Sequence, residues 1–364
     1  AIIGEVGGVT SHSAIIARAM GIPCILGVAN ADNIFSNGEK LIVDAVKGKI
    51  IASPSDDEIS EYSALKEKEV KERLLLKEYI NKPTVTKSGI QKAVYANIAK
   101  AQDVHAAVVN GAEGIGLFRT EFLYMDRSEA PSEDEQFEAY STVAKAMGGK
   151  EVIIRTLDVG GDKHIPYLEI EKEENPFMGL RAIRYCLKDT ALFKVQLRAL
   201  LRAACYGNIK IMLPLVCTVD EVLRSKMLLE ECKAELESER IPFKKDIKLG
   251  VMIETPAAVF ILDELAAVTD FFSIGTNDLT GYTMVADRGN REVSYLYDSN
   301  NPAVLRAIET VIRHAKKAGI PVGMCGEVAA DPDMIPRLIA WGLDEFSVSS
   351  SAILKTRKSI CEYE

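Results

Sequence analysis

The sequence reads as an α/β chain whose larger, C-terminal part is a closed (β/α)8 TIM barrel. The first observation behind this is periodic. Eight short apolar runs, near 91–98, 114–119, 151–157, 209–216, 248–254, 271–276, 320–325 and 345–350, alternate with helical stretches to the end of the chain. The second is how those runs finish. Phe272-Ser273-Ile274 empties into Gly275-Thr276-Asn277-Asp278, and Gly114 to Phe118 runs into Arg119-Thr120-Glu121. Val152-Ile153-Ile154 meets Arg155-Thr156-Leu157-Asp158, Val251-Met252-Ile253 meets Glu254-Thr255, and Val322-Gly323-Met324 meets Cys325-Gly326-Glu327. Barrel strands are buried on both faces and deliver their chemistry at their C-terminal ends, so these groups belong on one rim.

Composition narrows the class of protein. At 364 residues the chain is long enough for two folding units. Apolar residues at 48% and charged residues at 27% fit an ordinary globular protein. No apolar run reaches the length of a membrane span, and no basic-apolar leader opens the chain. A net charge of −9 argues against a nucleic-acid binder and leaves anion capture to local arginines. The seven cysteines are scattered without close CxxC pairs, which disfavours a disulfide framework or zinc site and suits a reducing cytoplasm. Ala1-Ile2-Ile3-Gly4, with no Met, reads as the interior of a longer polypeptide.

Residues 1–54 form a compact α/β piece, with short strands expected at Ala1 to Val6, Cys24 to Val28, Leu41 to Asp44 and Lys49 to Ala52, and a helix near Ser13 to Met20. Within it, Gly7-Gly8-Val9-Thr10-Ser11-His12 supplies a tight turn, a helix cap and a histidine in the first helical turn. The helix field there favours an anion and keeps an imidazole neutral and nucleophilic, able to accept a phosphoryl group. Residues 55–82 are highly charged; Leu65, Val70, Leu74, Leu75 and Tyr79 mark one apolar stripe of a helix, read as a solvated linker. Residues 83–364 are the barrel. The long interval from Asp158 to Ile209 implies an elaborated loop at the site, and the stop soon after Ser349-Ser350-Ser351 implies a missing or shortened final helix.

The rim residues have a consistent chemistry. Glu254 and Asp278 end adjacent strands and offer hard oxygen ligands suited to Mg²⁺, with phosphate and water completing the shell. Arg119, Arg155 and Arg288, with Arg181 from the long loop, can fork around a phosphate or carboxylate, and Lys163 is a weaker candidate. Phosphoryl transfer needs little beyond such positioning and charge neutralisation. Cys325 at a strand end can protonate a carbon facing it. His105, His164 and His314 have no partner at informative spacing.

Taken together and in this order, six segments resemble enzyme I of the bacterial phosphoenolpyruvate:sugar phosphotransferase system, the phosphoenolpyruvate-protein phosphotransferases. They are Gly7 to His12, Gly116 to Phe122, Thr156 to Lys163, Asn175-Pro176-Phe177, Gly275 to Leu279, and Gly323 to Glu327. The resemblance spans practically the whole chain and implies that 1–54 is part of a swivelling phosphohistidine domain. It implies His12 as the phosphorylated histidine, Arg119, Arg155, Asn277 and Arg288 as phosphoenolpyruvate-binding groups with the Asp278 backbone assisting, and Arg181 in support. It further implies Glu254 and Asp278 as Mg²⁺ ligands, Cys325 as the proton donor to enolpyruvate, onward transfer to a histidine-containing phosphocarrier protein, and a homodimer joined through the barrel. The family's N-terminal carrier-docking domain has no counterpart after Ala1, and Leu180, Gly281 and Asn301 stand where an aromatic, Gln and His are expected. A fragment of phosphoenolpyruvate synthase or pyruvate phosphate dikinase, and a barrel that senses phosphoenolpyruvate without turnover, are the competing readings. The Thr156 to Lys163 and Ala286 to Asn290 segments disfavour the first, and the intact Cys325 disfavours the second.

Overall fold

The computed structural model describes residues 1–5, 17, 22–125, 127–161, 163, 165–168, 170–171 and 173–364. The Gly7 to His12 segment with its helix from Ser13, and also Asp162 and His164, lie outside the described residues. The chain divides into two compact units, Ala1–Asn81 and Lys82–Glu364.

In the smaller unit, β1 (Ile2–Gly4) pairs in parallel with β2 (Cys24–Leu26). An antiparallel hairpin joins β3 (Leu41–Asp44) to β4 (Lys49–Ala52). Its turn is closed by the Asp44 carboxylate, which accepts from the backbone N–H of Val46 and Lys47, and by Gly48 at φ +61°. Helix Asp56–Leu76 starts in a capping box, with Ser55 and Glu58 each accepting the other's backbone N–H. Its apolar stripe differs from expectation: Leu65, Val70, Leu74 and Leu75 are exposed, Tyr79 just past the helix is half-buried, and Leu76 is buried. Charged residues dominate every face of this helix, which leaves too narrow an apolar strip to bury.

The larger unit is a closed parallel barrel. Its strands are β5 (Ala93–Ile98), β6 (Ile115–Arg119), β7 (Glu151–Arg155), β8 (Asn208–Leu213), β9 (Lys248–Ile253), β10 (Phe272–Ile274), β11 (Val322–Met324) and β12 (Glu345–Ser349). They pair in chain order and close through β12 with β5, Phe346 opposite Val94. Alternation splits each strand between two cores. Val152, Ile154, Phe272, Ile274, Phe346 and Val348 pack outward into one continuous core shared with the helices. Leu117, Ile153, Met212, Met252, Phe271 and Cys325 form a second cluster inside the barrel.

The helices carry local start signals. Ser132 with Glu135 and Thr218 with Glu221 are capping boxes opening Glu133–Ala146 and Val219–Ser238, and Gly319 and Gly342 end their helices in the left-handed conformation. The last helix, expected to be missing or shortened, is present over ten residues: Ile353–Glu362 covers the closing strand and buries Ile353, Leu354 and Ile360. The Asp158 to Ile209 interval is elaborated as expected, holding helices Ile183–Lys188 and Thr190–Ala203 as well as an irregular loop. All seven cysteines are free, and among the described residues no helix is long and apolar enough to cross a membrane.

Candidate active site

The C-terminal rim is built on an ionic lattice. Arg155, the last residue of β7, reaches Glu121 Oε1 at 2.8 Å and Asp158 Oδ2 at 3.1 Å. Lys163 Nζ bridges the same carboxylates at 3.0 and 2.7 Å. Arg181, delivered by the long loop, donates from Nε to Asp158 Oδ1 at 3.1 Å and from Nη2 to Asp278 Oδ2 at 3.0 Å. Arg155, Glu121, Asp158 and Arg181 are all at least nine-tenths buried. Burial alone would raise both carboxyls; the cations Arg155 and Lys163, joined at Asp158 by Arg181, outweigh it and hold them ionised well below the usual range.

A buried amide backs the lattice from behind. Gln196 of helix Thr190–Ala203 accepts from the Leu157 backbone N–H and donates to Thr120 Oγ1 and Tyr140 Oη. Thr120 in turn donates to the Arg155 carbonyl at 2.8 Å, so the ends of β6 and β7 are fixed to each other. Tyr282 ties the long loop to the helix after β10: it accepts from Arg181 Nη1 and donates to the Phe177 carbonyl.

Arg119 ends β6 with its guanidinium 4.9 Å from the Phe122 ring, and burial makes its charged form less comfortable than in water. The Nε–H groups of Arg119 and Arg155 are both buried without a partner among the described residues, and so is Glu121 Oε2. Buried guanidinium donors left open at neighbouring strand ends are unusual in a finished interior and suit an anion received from outside.

Glu254 follows β9 directly, buried, with Oε1 accepting from the Leu215 backbone N–H at 2.6 Å. Asp278 does not end the adjacent strand; it lies in the first turn of helix Thr276–Met284, where its carboxylate is also the partner of Arg181. Burial and then the negative Asp278 push the Glu254 carboxyl well above its ordinary value. A cation between the two relieves that cost, so this oxygen donor set fits a hard divalent ion. Among the described residues no three His, Cys, Asp or Glu side chains converge on one point, so most of such an ion's shell falls to ligand and water oxygens.

Asn277 accepts at Oδ1 from the Glu327 backbone N–H at 3.4 Å, which joins the rims of β10 and β11. Its carbonyl accepts from Tyr297 Oη, a phenol raised by burial to about 12 and drawn back by the Arg288 charge. Arg288 is the exposed member of the set, on the segment after that helix. Cys325, immediately past β11, is buried, and burial pushes its thiol up to about 12. Arg119, Arg155, Glu254, Asp278, Asn277 and Cys325 thus share one barrel mouth, with Arg181 and Arg288 on the loops around it. Glu121, Asp158 and Ser273 sit among them with no role read from the sequence, although the first two follow apolar runs and Ser273 interrupts one.

A barrel with an arginine-rich, carboxylate-bearing mouth is of the class that suits a small anion together with a cation. Residues 74–364 match the family described as PEP-utilising enzyme, PEP-binding domain, and residues 1–48 match PEP-utilising enzyme, mobile domain. The chain belongs to the PEP-utilising enzymes. It is 49% identical over 98% of its length to phosphoenolpyruvate-protein phosphotransferases of Geobacillus stearothermophilus and Bacillus subtilis, and 46% identical to that of Listeria monocytogenes. The chain spans 62% of the length of the first two relatives and 63% of the third. Among solved structures, an HpcH/HpaI aldolase/citrate lyase family protein from Burkholderia cenocepacia overlays 78% of this chain and 97% of its own, at a TM-score of 0.45 and 16% identity.

Proposed function

We propose that the chain carries the phosphoenolpyruvate chemistry of a phosphoenolpyruvate-protein phosphotransferase. In this reading the phosphoryl group of phosphoenolpyruvate passes to a ring nitrogen of His12 and on to a histidine-containing phosphocarrier protein, in a cytoplasmic homodimer joined through the barrel. The reading is supported chiefly by the two buried, unpartnered guanidinium Nε donors of Arg119 and Arg155 beside the carboxylate pair Glu254 and Asp278. That combination receives an anion and a cation together. The relatives' name and the mobile-domain match over 1–48 point the same way.

Arg119 and Arg155 orient the phosphoryl and carboxylate oxygens, Arg288 covers them from the exposed side, and Asn277 with the Asp278 backbone fixes the far end. Arg181 holds Asp278 in place for the metal. Glu254 and Asp278 hold Mg²⁺, which when bound neutralises charge building on phosphoryl and enolate oxygens. Cys325 stays protonated at neutral pH because of its burial, and gives that proton to the methylene carbon of enolpyruvate. Cys325→Ala is expected to bind phosphoenolpyruvate as tightly as the parent while pyruvate formation falls by roughly 10²-fold or more. Calorimetric binding and a pyruvate assay on the same samples check this; unchanged turnover removes Cys325 from the mechanism.

A further inference from the structure

We infer that Ser273 is a positioning residue for the reaction: its hydroxyl donates to Cys325 Sγ and holds the thiolate that remains after the thiol proton moves to carbon. The inference rests on the proton-donor role proposed above for Cys325.

Ser273 is the middle residue of β10. Its neighbours Phe272 and Ile274 face the outer core, so the alternation turns Ser273 to the barrel interior. It is 1% exposed there, beside the apolar floor formed by Leu117, Ile153, Met212 and Met252. A hydroxyl in such a place is costly unless it finds an acceptor. Among the described residues the one hydrogen-bond partner of Ser273 Oγ is Cys325 Sγ, at 3.5 Å. A neutral thiol is a weak acceptor and a thiolate a strong one, so the contact gains most of its strength when the proton has left. The neutral thiol has an acceptor of its own within reach, the Ile274 carbonyl oxygen at 3.8 Å from Sγ. Backbone and side chain of one short strand therefore serve both protonation states.

Other charges around Sγ leave work for this hydroxyl. Arg155 of β7 favours the thiolate and Arg119 of β6 lies within reach, while Glu254 beyond β9 and Glu345 of β12 oppose it. Burial is the largest influence and disfavours the anion; the Ser273 hydroxyl leads those that offset it. In the step itself the S–H bond breaks, and the enolate electron pair forms the new C–H bond at the methylene carbon. The enolate oxygen becomes the ketone of pyruvate, and the thiolate recovers a proton from water once pyruvate leaves.

The test compares Ser273→Ala and Ser273→Thr with the parent by two readouts. One is the rate of Cys325 alkylation by iodoacetamide at a fixed pH below its midpoint, resolved by peptide mass spectrometry. The other is deuterium exchange from D₂O into the methyl group of pyruvate with Mg²⁺ present. Loss of the hydroxyl is expected to raise the thiol midpoint by about one unit, which lowers alkylation roughly threefold, because the scarcer thiolate is also the more nucleophilic. The exchange kcat is expected to fall with KM unchanged, and Ser273→Thr, which keeps the hydroxyl, to recover both. Alkylation of Ser273→Ala within twofold of the parent overturns the inference, as does a Ser273→Thr variant as slow as Ser273→Ala. Cys325→Ala serves as the control on the underlying reading. If it exchanges deuterium normally while Ser273→Ala still slows alkylation, the proton-donor role fails and the hydroxyl–thiol coupling survives without a part in the reaction.

Discussion

Arg155 is where the site's stability and its chemistry meet. One of its η nitrogens is committed to Glu121 and Asp158, while its Nε–H stays open. The same guanidinium therefore compensates two buried carboxylates and keeps one donor open for the anion proposed above. Removing one partner of a buried ionic lattice leaves the others uncompensated and costs about 3–5 kcal/mol. Arg155→Met is accordingly expected to lower the denaturation midpoint and also to abolish phosphoenolpyruvate binding, measured by urea titration and calorimetry. A variant that binds normally would place the anion elsewhere on the rim. Arg119→Met, which breaks no ion pair in this lattice, is the cleaner probe of binding alone.

Among the secondary-structure elements, two glycines show how closely the rims must approach. A Cβ on Gly326 would lie 1.8 Å from Thr276 Oγ1 and 2.7 Å from the Thr276 backbone nitrogen, and one on Gly275 would lie 2.7 Å from Glu254 Oε2. Gly326 thus lets the turn after β11 pack against the helix that presents Asn277 and Asp278. Gly326→Ala is expected to destabilise by about 1–3 kcal/mol and to weaken binding, since the backbone contact cannot be relieved by rotating a side chain. Thermal melts with and without phosphoenolpyruvate read both effects. Such contacts mark the boundary of what was legible in the sequence. The eight barrel strands fall within a few residues of their expected runs because a doubly buried strand writes its apolar character along the chain. Arg119, Arg155, Glu254 and Cys325 were legible for the same reason, since each follows or ends such a run. The pairing of Asp278 with Arg181 was not, because the two are 97 residues apart and only the closed barrel brings them together. The roles of Glu121 and Asp158 as counter-ions, and of Ser273 as a partner of Cys325, were hidden likewise. The presence of the last helix is carried by the burial of Ile353, Leu354 and Ile360, which a count of residues remaining after the closing strand does not reveal.

The closed barrel has two ends, and the end opposite the site also stores an unusual charge. Glu345 of β12 lies between Gly116 and Gly323, whose missing side chains give its carboxyl room. Its Oε1 is shielded from water without a partner among the described residues, and burial, reinforced by the negative Glu151 against the opposing Lys210, pushes the carboxyl up to about 8. The folded form holds this proton more tightly than the unfolded chain, so the stabilisation is complete below the ordinary carboxylate range and is lost as pH rises toward 8. Barrel stability is expected to fall between about pH 5 and pH 8, with Glu254 raised in the same sense, and Glu345→Gln to make that fall shallower; an equally steep decline in the variant would assign it to other groups. The proposed function joins the barrel to His12, so the deciding measurement reports on both. It is the intact mass of the chain after incubation with phosphoenolpyruvate and Mg²⁺, with His12→Ala alongside. One added, acid-labile phosphate that disappears in His12→Ala is the expected result. No added phosphate, together with no calorimetric binding of phosphoenolpyruvate, would contradict the assignment of the barrel mouth as its receiver.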